Sequence, residues 1–133
     1  LSRDLEQIGY GSYFLEVAAA YTVEGVEASE ILMLLYLSLK ALQKPSIPKP
    51  LVRCVFELRL MVINGVYDLT PPIPVCDSTA YTIYYVGTAP LAKLYTFAVS
   101  DQVLSELGKC MEIYRTRYLE GHFTSLDILK SLE

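Results

Sequence analysis

The chain is poor in the residues that most often carry out chemistry or cross-link a fold. Of its 133 residues, one is a histidine, three are cysteines and none is a tryptophan. An odd number of widely spaced cysteines argues against a disulfide framework, because such frameworks pair their thiols. No apolar run approaches the roughly 20 residues that a membrane-spanning helix needs. We therefore expect a cytoplasmic protein that makes no contact with a membrane.

Catalytic motifs are missing as well. The one histidine, His122, follows Gly121 at a predicted helix end, where a surface or capping role is much more common than catalysis. No serine lies in a nucleophile elbow, and no glycine-rich stretch has the spacing of a phosphate-binding loop. An enzyme would need a cleft with convergent polar groups, and the sequence supplies no candidate set. We predict that the chain is not an enzyme.

A metal site is also poorly supplied with ligands. Cys54 and Cys110 lie in apolar helical patterns, where a free cysteine behaves as a small hydrophobic residue. A structural zinc ion takes four ligands, usually from closely spaced cysteine pairs. Cys76 has no such partner, and the alternative is a site built from Cys76, Asp77 and His122. We expect Cys76 to be a partly buried free thiol and the chain to hold no metal cofactor.

Apolar residues, by contrast, are plentiful. They make up 53% of the chain and charged residues 20%, which at this length favours one folded domain. Their helical spacing predicts an all-α, single compact domain of about six helices. The predicted helices cover residues 4–22, 27–43, 50–64, 78–89, 101–120 and 125 onward, and Ser78 and Ser100 are the predicted N-caps of the fourth and fifth. For residues 79–86, which are rich in β-forming side chains, a strand is the alternative.

Some of these helices carry more specific expectations. The second helix is apolar nearly all round, so it is expected to lie at the centre of the core. The third helix has Pro50 in its first turn and Gly65 as its stop. Arg53 and Glu57, four residues apart, are expected to pair on its exposed face. The segment 94–99 alternates in polarity and is predicted to be extended.

Charge is distributed unevenly along the chain. The net charge of −4 argues against a general nucleic-acid binder. Residues 1–39 contain six acidic residues and one basic residue, whereas residues 40–59 contain one acidic residue and five basic ones. These five form what we call the basic stripe: Lys40, Lys44, Lys49, Arg53 and Arg59. The stripe is either a binding surface or a solvated surface that balances the acidic first third.

Three stretches together resemble the C-terminal part of the RecO family of bacterial DNA repair proteins. They are LEQIGYGSYFLEVAAAYT (5–22), LVRCVFELRLMVINGVYDL (51–69) and APLAKLYTFAVSDQVLSELGKCMEIYRTRYLEGHFTSLDILKSLE (89–133), in that order. The resemblance implies that residues 1–133 are a RecO-like C-terminal helical domain without the family's N-terminal OB-fold. It also implies that the proline-rich segment 70–78 replaces the family's zinc-binding insertion. That segment keeps Cys76 alone, so the zinc site is predicted to be lost.

The resemblance further implies a non-enzymatic recombination mediator. Proteins of this family bind the acidic, aromatic-ending tail of the single-strand-binding protein (SSB), work with RecR, and aid RecA loading or strand annealing. The full-length proteins also bind single-stranded DNA. The alternative is a helical scaffold that docks only to its own OB-fold or to RecR, without binding the tail or DNA.

The resemblance also suggests where these ligands would bind. An acidic tail with an aromatic end needs cations for its charges and an apolar pocket for its ring. The predicted tail-binding residues are Lys44, Lys49, Arg53, Phe56 and Arg59. Arg115 and Arg117 are predicted to contact DNA. The alternative for Arg115 is a structural pair with Glu112, three residues earlier.

Overall fold

The computed structural model describes residues 3–22 and 28–119, which form five α-helices and one short 3₁₀ helix. The α-helices are α1 (Arg3–Tyr21), α2 (Ala28–Leu42), α3 (Lys49–Ile63), α4 (Asp77–Thr88) and α5 (Asp101–Tyr118), and the 3₁₀ helix is Leu91–Lys93. No strand occurs in the described ranges. The all-α prediction is confirmed, and residues 79–86 are helical.

Local signals set the bounds of α3. Pro50 occupies its first turn, where the missing N–H costs nothing. The chain leaves the helix at Asn64, and Gly65 follows with a φ of +100°. Glycine reaches this left-handed backbone without a steric cost, because it has no Cβ atom. The predicted start and stop of α3 are confirmed.

The caps of α4 and α5 are of different kinds. The Oγ of Ser100 accepts a hydrogen bond from the backbone N–H of Val103 at 3.2 Å, which confirms Ser100 as the cap of α5. At α4 the cap position is Cys76, and the predicted cap, Ser78, already lies inside the helix. The predicted stop at Gly121 and the helix predicted from residue 125 lie outside the described residues.

The central helix of the bundle is α3. It packs against α1, α2, α4 and α5, and ten of its fifteen residues are buried. Its Phe56 ring stacks on Phe14 of α1 with the ring centroids 4.4 Å apart. The prediction that α2 is central is wrong, because α2 buries only one side. The outward side of α2 exposes Leu32, Met33 and Tyr36.

The connection from α4 to α5 is irregular. Leu94 follows the 3₁₀ helix in a helical backbone conformation (φ −62°, ψ −29°), so the segment 94–99 begins in a turn and not in the predicted extended form. The side chain of Leu94 is fully buried and anchors the connection. Among the described helices, none combines the length and the apolar character that spanning a bilayer would require.

Candidate functional site: a cationic cavity between α3 and α5

A buried carboxylate organises the contact between α3 and α5. Glu57 is fully buried, and Arg115 binds it through two hydrogen bonds, Nε to Oε2 at 2.8 Å and Nη2 to Oε1 at 2.7 Å. The Nε of Arg53 lies 3.4 Å from the same Oε2, and the Tyr13 hydroxyl of α1 also donates to it. We call these four residues the Glu57 cluster. Such partners are necessary, because removing a carboxylate from water costs several kcal/mol.

The protonation states of the cluster follow from this arrangement. Burial raises the pKa of Tyr13, and the adjacent Glu57 carboxylate raises it further, so the phenol stays neutral and donates. Burial lowers the pKa of Arg115, but its hydrogen bonds to Glu57 outweigh that effect and the net shift is upward. Burial, followed by the Glu57 charge, raises the pKa of Cys54 to about 12, so this thiol is protonated at neutral pH.

The pairings differ from those expected from local spacing. Arg53 does pair with Glu57, but only 8% of Arg53 and none of Glu57 is exposed, so the predicted exposed pair is wrong. The carboxylate partner of Arg115 is Glu57, 58 residues away in the sequence, and not the neighbouring Glu112. The reason is that α5 packs over the face of α3 that carries both Arg53 and Glu57.

A cavity of about 290 Å³ opens beside the Glu57 cluster, between the start of α3 and the middle of α5. Its basic wall consists of Arg53, Lys109 and Arg115, and its acidic lining residue is Glu112. Tyr10 of α1 and Pro50 of α3 supply apolar surface. The Arg53 guanidinium carbon also lies 5.1 Å from the centre of the Tyr13 ring, which helps to hold that cation in place.

The predicted site residues fall into separate places. Arg53 and Arg115, predicted for different ligands, both line the cavity, and Lys49 directly precedes the cavity residue Pro50. Lys44 and Arg117 are exposed and do not line it. The assignment of all these residues to the SSB tail or to DNA stays a prediction.

Two of the predicted tail-binding residues, Phe56 and Arg59, make contacts within the fold instead. Phe56 is fully buried in the core, so its ring presents no surface to a ligand. The Nη1 of Arg59 donates to the carbonyl oxygens of Val86 at 3.1 Å and Ala89 at 2.6 Å, which closes the C-terminal end of α4. The predicted groove therefore is not one continuous surface. In a helix of 3.6 residues per turn, Arg59 points about 120° away from Arg53.

Sequence reasoning missed Lys109 and Tyr10 as cavity residues. Both reach the cavity only because α1 and α5 pack on α3. One available signal was Glu57 itself, the single acidic residue in an otherwise apolar and basic helix. Another was the polar set Ser105, Lys109 and Glu112, whose spacing marks one face of α5.

Cys76 has a local structural role at the start of α4. Its backbone N–H donates to the Glu106 carboxylate at 3.2 Å, and its Sγ lies 3.3 Å from the Thr79 hydroxyl. Thr79 also donates to Glu106 at 2.6 Å. Among residues 3–22 and 28–119, no group of three or more His, Cys, Asp or Glu side chains is placed to hold a metal ion. His122, the remaining member of the alternative zinc set, lies outside the described residues.

Comparisons with known proteins find similarity to RecO proteins. A family model described as "Recombination protein O C terminal" matches residues 2–67. The curated DNA repair protein RecO of Acetivibrio thermocellus is 26% identical over 167 residues, which cover all of this chain and 66% of that relative. The chain is therefore similar to a RecO protein along its whole length. No solved structure matches it.

The match to RecO also bears on the proline-rich segment. The chain spans about two thirds of its RecO relative, and the aligned stretch is 167 residues long whereas the chain has 133 residues. The relative therefore contains residues within this stretch that the chain lacks. Their placement at residues 70–78, as the lost zinc-binding insertion, stays a prediction.

Proposed function

We propose that this chain is a non-enzymatic helical domain of a RecO-type DNA repair protein and that it binds the acidic C-terminal tail of SSB. The observation that carries the proposal is the cavity with three cations between α3 and α5. Binding there would recruit the protein to SSB-coated single strands, together with RecR. Aid to RecA loading or to strand annealing would follow from that recruitment.

The cavity has the chemistry that such a tail requires. Arg53, Lys109 and Arg115 supply positive charge for the acidic residues, against one buried and one exposed carboxylate. Tyr10 and Pro50 supply apolar surface for a terminal aromatic ring. Glu57 holds Arg115 by two hydrogen bonds, so this side chain loses little further freedom when a ligand binds.

The test is a titration of a labelled acidic peptide that ends in phenylalanine, followed by fluorescence anisotropy at two salt concentrations. Lys109 is exposed at the cavity, so Lys109→Glu should leave the fold intact. We expect this variant to bind about five- to tenfold more weakly, because one attractive charge becomes repulsive. Binding should weaken with salt and be lost when the terminal phenylalanine is removed.

The matched control is Lys40→Glu, which makes the same charge change on the exposed side of α2 and outside the cavity. It should bind the peptide as the parent chain does. If Lys109→Glu binds as tightly as the parent, or if both variants lose the same affinity, the cavity is not the tail site.

A second candidate is a scaffold that docks to its own OB-fold or to RecR without binding the tail. The observation in its favour is the large apolar side chains exposed on α1 and α2: Leu5, Ile8, Leu15, Leu32 and Met33. It predicts no peptide binding by the folded chain. It also predicts that Leu32→Glu prevents co-purification with RecR or with the separately produced OB-fold.

A further inference from the structure

A second cleft, of about 270 Å³, lies between α4 and the segment that leads into α5. Its lining is Tyr81, Thr82, Tyr85, Phe97 and Ala98, none of which belongs to the first cavity. Tyr85 and Phe97 meet edge to face, with centroids 5.4 Å apart and ring planes at 78°. The ring centroid of Tyr81 lies 6.3 Å from that of Tyr85, and the planes of these two rings meet at 31°. Three rings with different orientations therefore line the cleft, and we call it the three-ring cleft.

The three-ring cleft presents mainly aromatic ring faces to a ligand, because the hydroxyl groups of Thr82 and Tyr85 already donate hydrogen bonds within the protein. The Thr82 hydroxyl donates to the carbonyl oxygen of Ser78 at 2.7 Å, and the Tyr85 hydroxyl donates to that of Lys93 at 3.2 Å. These bonds hold the wall in place and use the hydroxyl protons. Tyr85 and Phe97 are half-buried and pack on the core, so their rings are fixed before any ligand arrives. The faces of aromatic rings are electron-rich and attract cations.

Charge around the cleft favours the same class of ligand. The lining carries no carboxylate, amine or guanidinium group. The two stretches that supply the lining, α4 and residues 94–100, contain one charged residue, Asp77. Asp77 is exposed and lies one helical turn before Tyr81, on the same side of α4. A phosphate backbone would meet net negative charge here, whereas a cation would be attracted.

We propose that the three-ring cleft binds an arginine side chain from a basic segment of a partner protein. A planar guanidinium stacks on one ring while its edges remain open to water or to a carboxylate. Arginine is also the cation found most often over aromatic faces. This site is separate from the proposed tail site, because three cations line the tail site, no cation lines the cleft, and the two share no lining residue.

The experiment uses a labelled peptide of five arginines separated by glycines, titrated with the full chain. Tyr81 is 65% exposed, so Tyr81→Leu should fold normally, which circular dichroism would check. We expect Tyr81→Leu to bind roughly three- to tenfold more weakly, since it removes one ring face. The matched control is Tyr67→Leu, at a tyrosine that is 84% exposed and lies outside the cleft. It should bind as the parent chain does.

A second peptide separates ring recognition from general attraction. Citrulline has the shape of arginine without its charge, so a peptide with citrulline at all five positions should not bind. The proposal is overturned if Tyr81→Leu and Tyr67→Leu have the same effect, because the attraction is then diffuse. It is also overturned if Tyr81 is required for binding an oligo-dT strand or for self-association of the chain. Lys109→Glu should leave arginine-peptide binding unchanged, so this result is independent of the tail proposal.

Discussion

Two helices of equal length, α2 and α3, show how poorly apolar content predicts burial. Each has 15 residues, with two charged residues in α2 and four in α3. Nevertheless five residues of α2 are buried and ten of α3 are buried. The helix with more charge is therefore the core of the bundle. Its position among the other helices decides burial, and its charges are tolerated because they are paired.

The pairing differs from one charge to the next. Glu57 is neutralised by Arg115 from α5. The Arg59 guanidinium instead donates hydrogen bonds to two carbonyl oxygens at the end of α4. α2, in contrast, packs on α1, α3 and the 3₁₀ helix and leaves its outer side exposed.

The largest effect is expected at Glu57. Glu57→Gln removes the charge that compensates Arg53 and Arg115, and breaking a buried ion pair from one side costs about 3–5 kcal/mol. On α2, Glu30→Gln changes an exposed carboxylate and should stay within about 0.5 kcal/mol. Urea unfolding monitored by circular dichroism measures both. A loss below about 1 kcal/mol at Glu57 would mean that the ion pair does not maintain the core.

A second comparison separates the two sides of α2. Leu34 is fully buried, so Leu34→Ala should cost about 2–5 kcal/mol through lost contacts and the cavity it leaves. Leu32 is 58% exposed, and Leu32→Ala should cost no more than about 0.5 kcal/mol. The same urea titration measures the loss of unfolding free energy in both variants. Equal losses at the two positions would contradict the one-sided burial of α2.

The third prediction concerns alkaline pH. Burial and Glu57 raise the pKa of Tyr13 above its ordinary value of 10.0. The stabilisation of the fold by the neutral phenol is therefore fully present below pH 10. That contribution is lost as the pH rises further, by at most about 1.4 kcal/mol per pH unit for this group. Tyr13→Phe should flatten the decline in stability between pH 10 and 11. The control Tyr36→Phe, at an exposed ring on α2, should leave it unchanged.

The smallest effect is a gain in stability at the contact of α1 with α2. A Cβ atom at Gly11 would lie 3.6 Å from the Leu39 Cδ2 atom, which is an ordinary contact distance. Gly11→Ala should therefore stabilise the chain by about 0.5–1 kcal/mol, because alanine favours the helix. Thermal unfolding measures the shift. A lower melting temperature would mean that α1 and α2 approach more closely than this distance implies.

Local chemistry made most of the fold predictable. Pro50 and Gly65 marked the ends of α3, and Ser100 marked the start of α5, because each acts on its own turn of backbone. The central helix was not predictable, since apolar content favoured α2. Arg53 and Arg115 were both selected as candidates, but their shared cavity was not expected. It depends on the packing of α5 on α3, and spacing along one helix carries no information about such contacts.

The link between Glu57 and Arg115 has a consequence for the order in which the protein is made. The ribosome adds Glu57 to the chain 58 residues before it adds Arg115, the main counterion of Glu57. Until then its carboxylate favours water, which delays burial of the central helix. The stretch matched by the family model ends at residue 67. A fragment cut there would keep Glu57 but lose the arginine that allows α3 to be buried.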